Sequence, residues 1–339
     1  MSTRTFDEIQ ADVDHALSFN DAESLMNLAA ELDTLDTPQA EALANNSRGC
    51  AYYFRSNYSA ALSHFQRAMA LYEELGDRKG IASVTVNIGN VHWSTSDYPM
   101  ALSHYHSALA LREELGDRNS VASVMAKIGT VHWSKGDYSE ALSHHQRALA
   151  LHEELGDRKG VAIVKLKIGN VHIRTGDTTA ALENFQHSLR LYEEIGDRAS
   201  VALVTGNIGN VHIGTGDYAA ALSHYERALI LHEEHGDRSH AANVLGNIGV
   251  VHNRTGDYPT ALSHLHRALE LHEELGERSG AARVTGNIGN VYYHTSDYPA
   301  ALSHLHRALV ICEEIGDRGQ AAVTTGNIGN VHFDTGDYP

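Results

Sequence analysis

The chain has 339 residues, 42% hydrophobic and 20% charged, a composition that excludes a disordered protein, and its 29 glycines against 5 prolines fit short, regular turns. Its formal charge of −17, with 26 Lys and Arg dispersed among 43 Asp and Glu, leaves no concentrated basic stripe and argues against a nucleic-acid partner. No apolar run reaches membrane-spanning length, the N-terminus has neither a basic stretch nor an apolar core, and Cys50 and Cys312 give no disulfide framework, so no membrane partner and a reducing, cytoplasmic setting are expected.

Residues 1–37 show two helical stretches, about residues 6–17 and 21–32, ended by Thr37-Pro38, and their polar content suits a degenerate N-terminal cap. Beyond them the frame Gly-Asp-Arg … Asn-Ile-Gly-Asn-Val-His … Gly-Asp-Tyr … Ala-Leu-Ser-His recurs every 40 residues without insertion or deletion. Seven copies fill residues 38–317, and residues 318–339 are read as the first helix of a further, truncated copy. A unit this short cannot bury its own apolar face, so copies must stack on their neighbours and the function is the surface they present.

One copy, residues 197–236, shows the local logic. Val201, Val204, Ile208 and Val211 make one helical stripe, and Thr215-Gly216-Asp217 breaks it with a glycine suited to the left-handed position and an aspartate suited to cap the next helix. A second stripe follows in Tyr218, Ala221, Leu222, Tyr225, Ala228 and Leu229, before Gly236-Asp237 repeats the stop-and-cap signal. Pro99, Pro259 and Pro299 fall two residues after Asp97, Asp257 and Asp297, within the first turn, where a missing N–H is harmless.

These residues resemble the tetratricopeptide repeat, whose pattern stands here as Ile208-Gly209, His212, Gly216-Asp217-Tyr218, Ala221, Tyr225 and Ala228. The resemblance implies an all-α, right-handed tetratricopeptide-repeat solenoid of stacked helix-turn-helix units. The chain departs from the family in two ways: the aromatic of the first helix is mostly His (His92, His132, His172, His212, His252, His332; Tyr in Tyr52 and Tyr292), and Glu-Glu replaces the terminating Pro. The forty-residue form is similar to Leu-Gly-Asn-repeat adaptors and to repeat regions of bacterial nucleotide cyclases and histidine kinases. These relatives imply a scaffold that binds a peptide or protein segment in its concave groove, with no catalytic residues and no cofactor. The alternative is a regulatory sensor region of a larger signalling enzyme whose catalytic domain lies beyond residue 339.

In this family the first helix of each pair lines the concave face, which makes its outward residues the candidates for binding. Asn87, Asn90, Asn170, Asn207, Asn210, Asn247, Asn287, Asn290, Asn327 and Asn330 form a ladder of amides, each carrying a donor and an acceptor for an extended peptide backbone. Lys127, Thr130, Lys167 and Val250 interrupt it, and the basic set of the family's carboxylate clamp is not reproduced. The competing reading is a tolerated polar residue copied by duplication. Trp93, Trp133 and Tyr293 share one column and are expected as interface anchors or as packing between copies, with Arg174 and Arg254 beside them to set specificity.

Gly206, Gly246, Gly286 and Gly326 suggest either a ligand close to the backbone or shape adjustment between helices. The 24 histidines do not imply a metal, because most columns place one per copy, and His232-Glu233-Glu234-His235 sets its second His one position short of a zincin motif. The Glu-Glu pairs are expected as a solvated ridge. The interior stripe of the last helix, Ile328, Val331 and His332, with Phe333 adding apolar surface, has no second helix to cover it, so this end is expected either to fray after Arg318 or to self-associate.

Overall fold

The computed structural model describes residues 4–337, and every regular element among them is an α-helix. The chain forms two compact units, Met1–Thr175 and Gly176–Pro339. The first holds α1 (Phe6–Ser18), α2 (Ala22–Asp33), α3 (Pro38–Phe54), α4 (Tyr58–Leu75), α5 (Arg78–Ser94), α6 (Tyr98–Glu114), α7 (Arg118–Lys135), α8 (Tyr138–Glu154) and α9 (Arg158–Thr175). The second holds α10 (Thr178–Ile195), α11 (Arg198–Thr215), α12 (Tyr218–Glu234), α13 (Arg238–Thr255), α14 (Tyr258–Glu274), α15 (Arg278–His294), α16 (Tyr298–Ile315) and α17 (Arg318–Thr335). Within each unit consecutive helices pack as antiparallel hairpins that stack on the next pair, the tetratricopeptide-repeat architecture.

The turns are built as the punctuation predicts. Gly216 ends α11 at φ 80°, a left-handed conformation that costs glycine nothing, and its N–H reaches the carbonyls of His212 and Ile213. Asp217 then caps α12, its carboxylate accepting the Ala220 N–H at 3.1 Å. The apolar stripes face inward: Val204, Ile208, Ala221, Tyr225 and Ala228 are each at most 1% exposed.

The two helices of a copy approach through a glycine that seats a bulky side chain from the second helix. A methyl group placed on Gly209 would lie 2.8 Å from Cε1 of Tyr225, and on Gly49, Gly129 and Gly249 it would meet Phe65, His145 and Leu265 at 2.4, 2.7 and 2.6 Å. The second glycine column behaves differently. A methyl on Gly206 would meet only Ala228 at 4.0 Å, and Gly246 and Gly286 are buried between helices, with ordinary contacts of 3.5 Å or more. These three positions therefore neither require glycine for packing nor, in the case of Gly246 and Gly286, offer bare backbone to a ligand.

The histidines that replace the family's first-helix aromatic keep its stacking role. His92 stacks on His104 at 5.4 Å, His212 on His224 at 5.4 Å and His252 on His264 at 5.7 Å, while Tyr52 and Tyr292 stack in the same way on His64 and His304, each at 5.3 Å. Burial holds the second-helix partners His104, His224, His264 and His304 below the usual imidazole range. The Glu-Glu ridge is paired with the protein's own arginines: Glu193, Glu233 and Glu273 accept from Arg227, Arg267 and Arg307 at 2.6, 2.5 and 2.5 Å, and Glu154 and Glu234 pair with Arg118 and Arg198. These exposed pairs contribute little stability each, but they leave less free acidic charge for a basic partner.

Two outcomes follow for stability. Gly209→Ala should lower the chemical-denaturation midpoint, costing about 1–3 kcal/mol by overpacking against Tyr225, whereas Gly206→Ala should raise it by up to about 1 kcal/mol through helix propensity; the reverse order would contradict the packing described. His145 is 1% exposed, and burial pushes its imidazole down to about 3. Because the folded value lies below the unfolded one, the stability tied to the neutral ring is complete above pH about 6.5 and falls by about 1.4 kcal/mol per pH unit as acid is added. His145→Phe, the residue found at Phe65 and Phe185 in the same column, should flatten that part of the acid melting profile, and an unchanged slope would contradict the assignment.

Candidate functional site

In the first unit the outward faces of α3, α5, α7 and α9 border a cavity of about 330 Å³ lined by Tyr53, Phe54, Asn90, Trp93, Tyr105, Lys127, Thr130 and Lys167, with Asn20 from the α1–α2 turn. Each lysine leans onto the preceding first helix. Lys127 Nζ donates to Asn90 Oδ1 at 3.1 Å, and Lys167 Nζ donates to Thr130 Oγ1 at 3.0 Å. Asn90 Oδ1 also accepts from Tyr105 Oη at 2.8 Å, which fixes the amide from below.

Neither Lys127 nor Lys167 pairs with a carboxylate among the described residues, whereas the exposed Lys135 is neutralised by Asp137 at 2.8 Å. Burial, reinforced by the charge of Lys167, pushes the Lys127 ammonium down to about 8, and burial lowers Lys167 as well. Two half-buried cations thus stand side by side without a counter-ion in a cavity walled by aromatic rings and hydroxyls. Such an arrangement costs free energy until an anion enters.

In the second unit the outward faces of α13, α15 and α17 border a cavity of about 410 Å³ of different chemistry. Asn287, Asn290, Asn327 and Asn330 line it with Asn253, the exposed Arg254, Tyr293 and His294. Those four ladder amides make no side-chain hydrogen bond to any described residue, and the buried Oδ1 of Asn253 also lacks a donor. The cavity therefore presents both donors and acceptors, with little fixed charge.

Elsewhere the ladder is partly consumed by the scaffold. Asn87 donates to Asn46 Oδ1 at 3.0 Å and to Cys50 Sγ at 3.5 Å. Asn210 Oδ1 accepts from Tyr225 Oη at 2.6 Å and from Asn247 Nδ2 at 3.2 Å. Asn170 and Asn207 lie half-buried outside both cavities. In the aromatic column, Trp93 is half-buried and donates its indole N–H to Ser134 Oγ of the next copy at 3.1 Å, Tyr53 Oη lies 3.0 Å from Ser94 Oγ, and Tyr293 Oη donates to Asp334 Oδ2 at 2.6 Å. These three rings tie adjacent copies together while one face lines a cavity. Trp133, 37% exposed, lies outside both cavities, and Arg174 donates to Tyr138 Oη at 3.1 Å. Lys127 and Lys167 interrupt the amide ladder in sequence; the available signal was that two consecutive copies place a cation in a column filled by Asn in every other copy but the first, which carries Ser47.

Models of the tetratricopeptide repeat match residues 46–75, 80–154, 160–234, 240–293 and 280–339. Among curated proteins, no sequence matches the chain. Among solved structures the chain is similar to a Rap protein complexed with competence and sporulation factor, at 13% identity and TM-score 0.67 over 97% of this chain and 98% of that one. It is also similar to the apo form of the quorum sensor NprR from B. thuringiensis, at 14% identity and TM-score 0.69 over 90% of this chain and 92% of that one. A signal transduction ATPase with a tetratricopeptide repeat sensor, from Pyrococcus horikoshii, matches at 14% identity and TM-score 0.68 over 94% of this chain and 50% of that one. At these identities the structural likeness speaks to fold, while the repeat models span most of the sequence: the chain belongs to the tetratricopeptide-repeat family.

Proposed function

We propose that this protein is a binding scaffold that holds an extended peptide or protein segment against its first-helix faces, with Lys127 and Lys167 receiving an acidic side chain or terminal carboxylate of that segment. The carrying observation is the lysine pair, two half-buried ammonium groups with no carboxylate partner among the described residues, bordering a cavity of about 330 Å³. Asn287, Asn290, Asn327 and Asn330 supply a second, uncharged surface suited to backbone C=O and N–H groups. Trp93, Tyr53 and Tyr105 give the lysine cavity apolar walls, which strengthen a charge-assisted hydrogen bond by excluding water. A Rap protein crystallised with its competence and sporulation factor, and NprR as a quorum sensor, accord with binding on this fold.

A second reading, a sensor region within a larger signalling protein, is favoured by one observation. The Pyrococcus horikoshii ATPase carries a tetratricopeptide repeat sensor, and the match spans half of its chain. The two readings share the binding surface and differ in what is attached to it.

Selection of random twelve-residue peptides on the immobilised chain tests the proposal. The selected peptides should carry Asp, Glu or a free carboxylate at one fixed register, and Lys127→Ala or Lys167→Ala should weaken them by about 1–3 kcal/mol, roughly 5- to 150-fold in Kd. Affinity should also decline as the pH rises through about 8, where Lys127 loses its proton, because the site then carries one positive charge fewer for the anion. Selected peptides without acidic groups, or peptides indifferent to both substitutions, would defeat the reading.

A further inference from the structure

The last turn of α12 and the first turn of α13 bring together three metal-ligating side chains that are distant from both cavities in sequence and chemistry. His232 is 3% exposed, and its Nδ1 is buried without a hydrogen-bond partner, 3.2 Å from Oδ2 of Asp237. His240 Nδ1 lies 2.9 Å from the same oxygen, and one donor atom from each of the three residues lies within 4.8 Å of the others. We propose that His232, Asp237 and His240 form a site for a divalent transition-metal ion of the zinc class, clamping the end of α12 to the start of α13.

The distances fit that chemistry. Metal–ligand bonds of about 2.0–2.1 Å at tetrahedral angles separate neighbouring donor atoms by roughly 3.3 Å, and at right angles by roughly 2.9 Å. The observed 3.2 and 2.9 Å between each imidazole and the carboxylate fall in this range. Two neutral imidazoles and one carboxylate suit zinc, nickel, cobalt or copper over calcium or magnesium, and leave the remaining positions to water. The two rings now stack 12° from parallel with centroids 5.1 Å apart, so closing on a shared ion requires a tilt. His240 can supply it, since its side chain is 52% exposed while His232 is fixed by burial.

Comparison among the copies shows that the cluster is not a by-product of the repeat. The equivalent triplets are Tyr72, Asp77, Gly80; Arg112, Asp117, Ser120; His152, Asp157, Gly160; Tyr192, Asp197, Ser200; His272, Glu277, Gly280; and Cys312, Asp317, Gln320. A methyl group on Gly160 or Gly280 would lie 2.2 or 2.4 Å from the neighbouring Nδ1, so those copies exclude a side chain where His240 stands. Capping does not require histidine either, because Asp117 caps its helix through the Ser120 N–H at 3.1 Å just as Asp237 caps through the His240 N–H at 3.2 Å. The cluster does not use His235, whose spacing from His232 is one position short of a zincin motif; its second imidazole, His240, comes from the next helix.

The test uses the full chain freed of metal with a chelator, titrated with Zn²⁺ against a chromophoric competitor, and with Co²⁺ followed by its visible absorption. One tight equivalent should bind, raise the Tm and give an intense tetrahedral-type cobalt band. His240→Ser, the residue of Ser120 and Ser200, should leave the metal-free Tm near its starting value and weaken Zn²⁺ by about 10- to 100-fold or more. His232→Tyr, the residue at Tyr192, provides a second variant with the same expectation. Zn²⁺ bound equally by parent and both variants would assign the ion to other histidines and overturn the proposal. No tight equivalent in the parent would overturn it too, leaving the cluster as a carboxylate hydrogen-bonded to His240 and close to His232.

Discussion

The architecture depends on one contact: a glycine on the first helix of a copy seating a ring or branched side chain from the second. With Tyr225 against Gly209, Phe65 against Gly49 and His145 against Gly129, the helix axes come close enough that any side chain at the glycine would collide. This closeness sets the position of each first helix relative to its own partner. The repeat of 40 residues without insertion then sets it relative to the next copy. Positions on the outward face, such as Asn90 and Lys127, consequently fall within hydrogen-bond distance across copies, at 3.1 Å. The outward surface is thus set by buried packing, to which the cross-copy bonds of Tyr53, Trp93 and Tyr293 add.

Once the register is fixed, chemistry on the outward face is set by substitution within single columns. In the first unit, Lys127 and Lys167 replace amides and convert a polar surface into one that is short of an anion. In the second unit, Asn287, Asn290, Asn327 and Asn330 remain as unspent amides beside Arg254. With a net charge of −17, most of the surface would repel the acidic partner we propose, which leaves the two lysines as the place to receive it.

The helix pairs were legible because they rest on local signals. Gly-Asp punctuation, proline two residues past a cap and apolar residues at three- and four-residue steps each have a backbone cause that does not depend on the rest of the chain. The N-terminal helices were legible for the same reason, with α1 and α2 falling at Phe6–Ser18 and Ala22–Asp33. The site was less legible because its determinants lie about 37 to 41 residues apart. Whether Asn87 and Asn210 are free or committed to Asn46 and Tyr225 cannot be read from their own columns. Trp93 likewise resembles an exposed anchor in sequence, yet its indole N–H is committed to Ser134. The lysines were underrated because sequence alone shows a cation but not the absence of its counter-ion.

The central claim is that a partner's acidic group sits on Lys127 and Lys167, and lysine labelling read residue by residue tests it most directly. An amine-reactive reagent applied near pH 8 to the chain, free and saturated with a selected peptide, should modify Lys127 readily in the free protein, since its ammonium is pushed down to about 8. The account predicts that the peptide protects Lys127 and Lys167 while leaving Lys79 and Lys135 unchanged. Undiminished labelling of Lys127 and Lys167 in a chain shown to be saturated would contradict it.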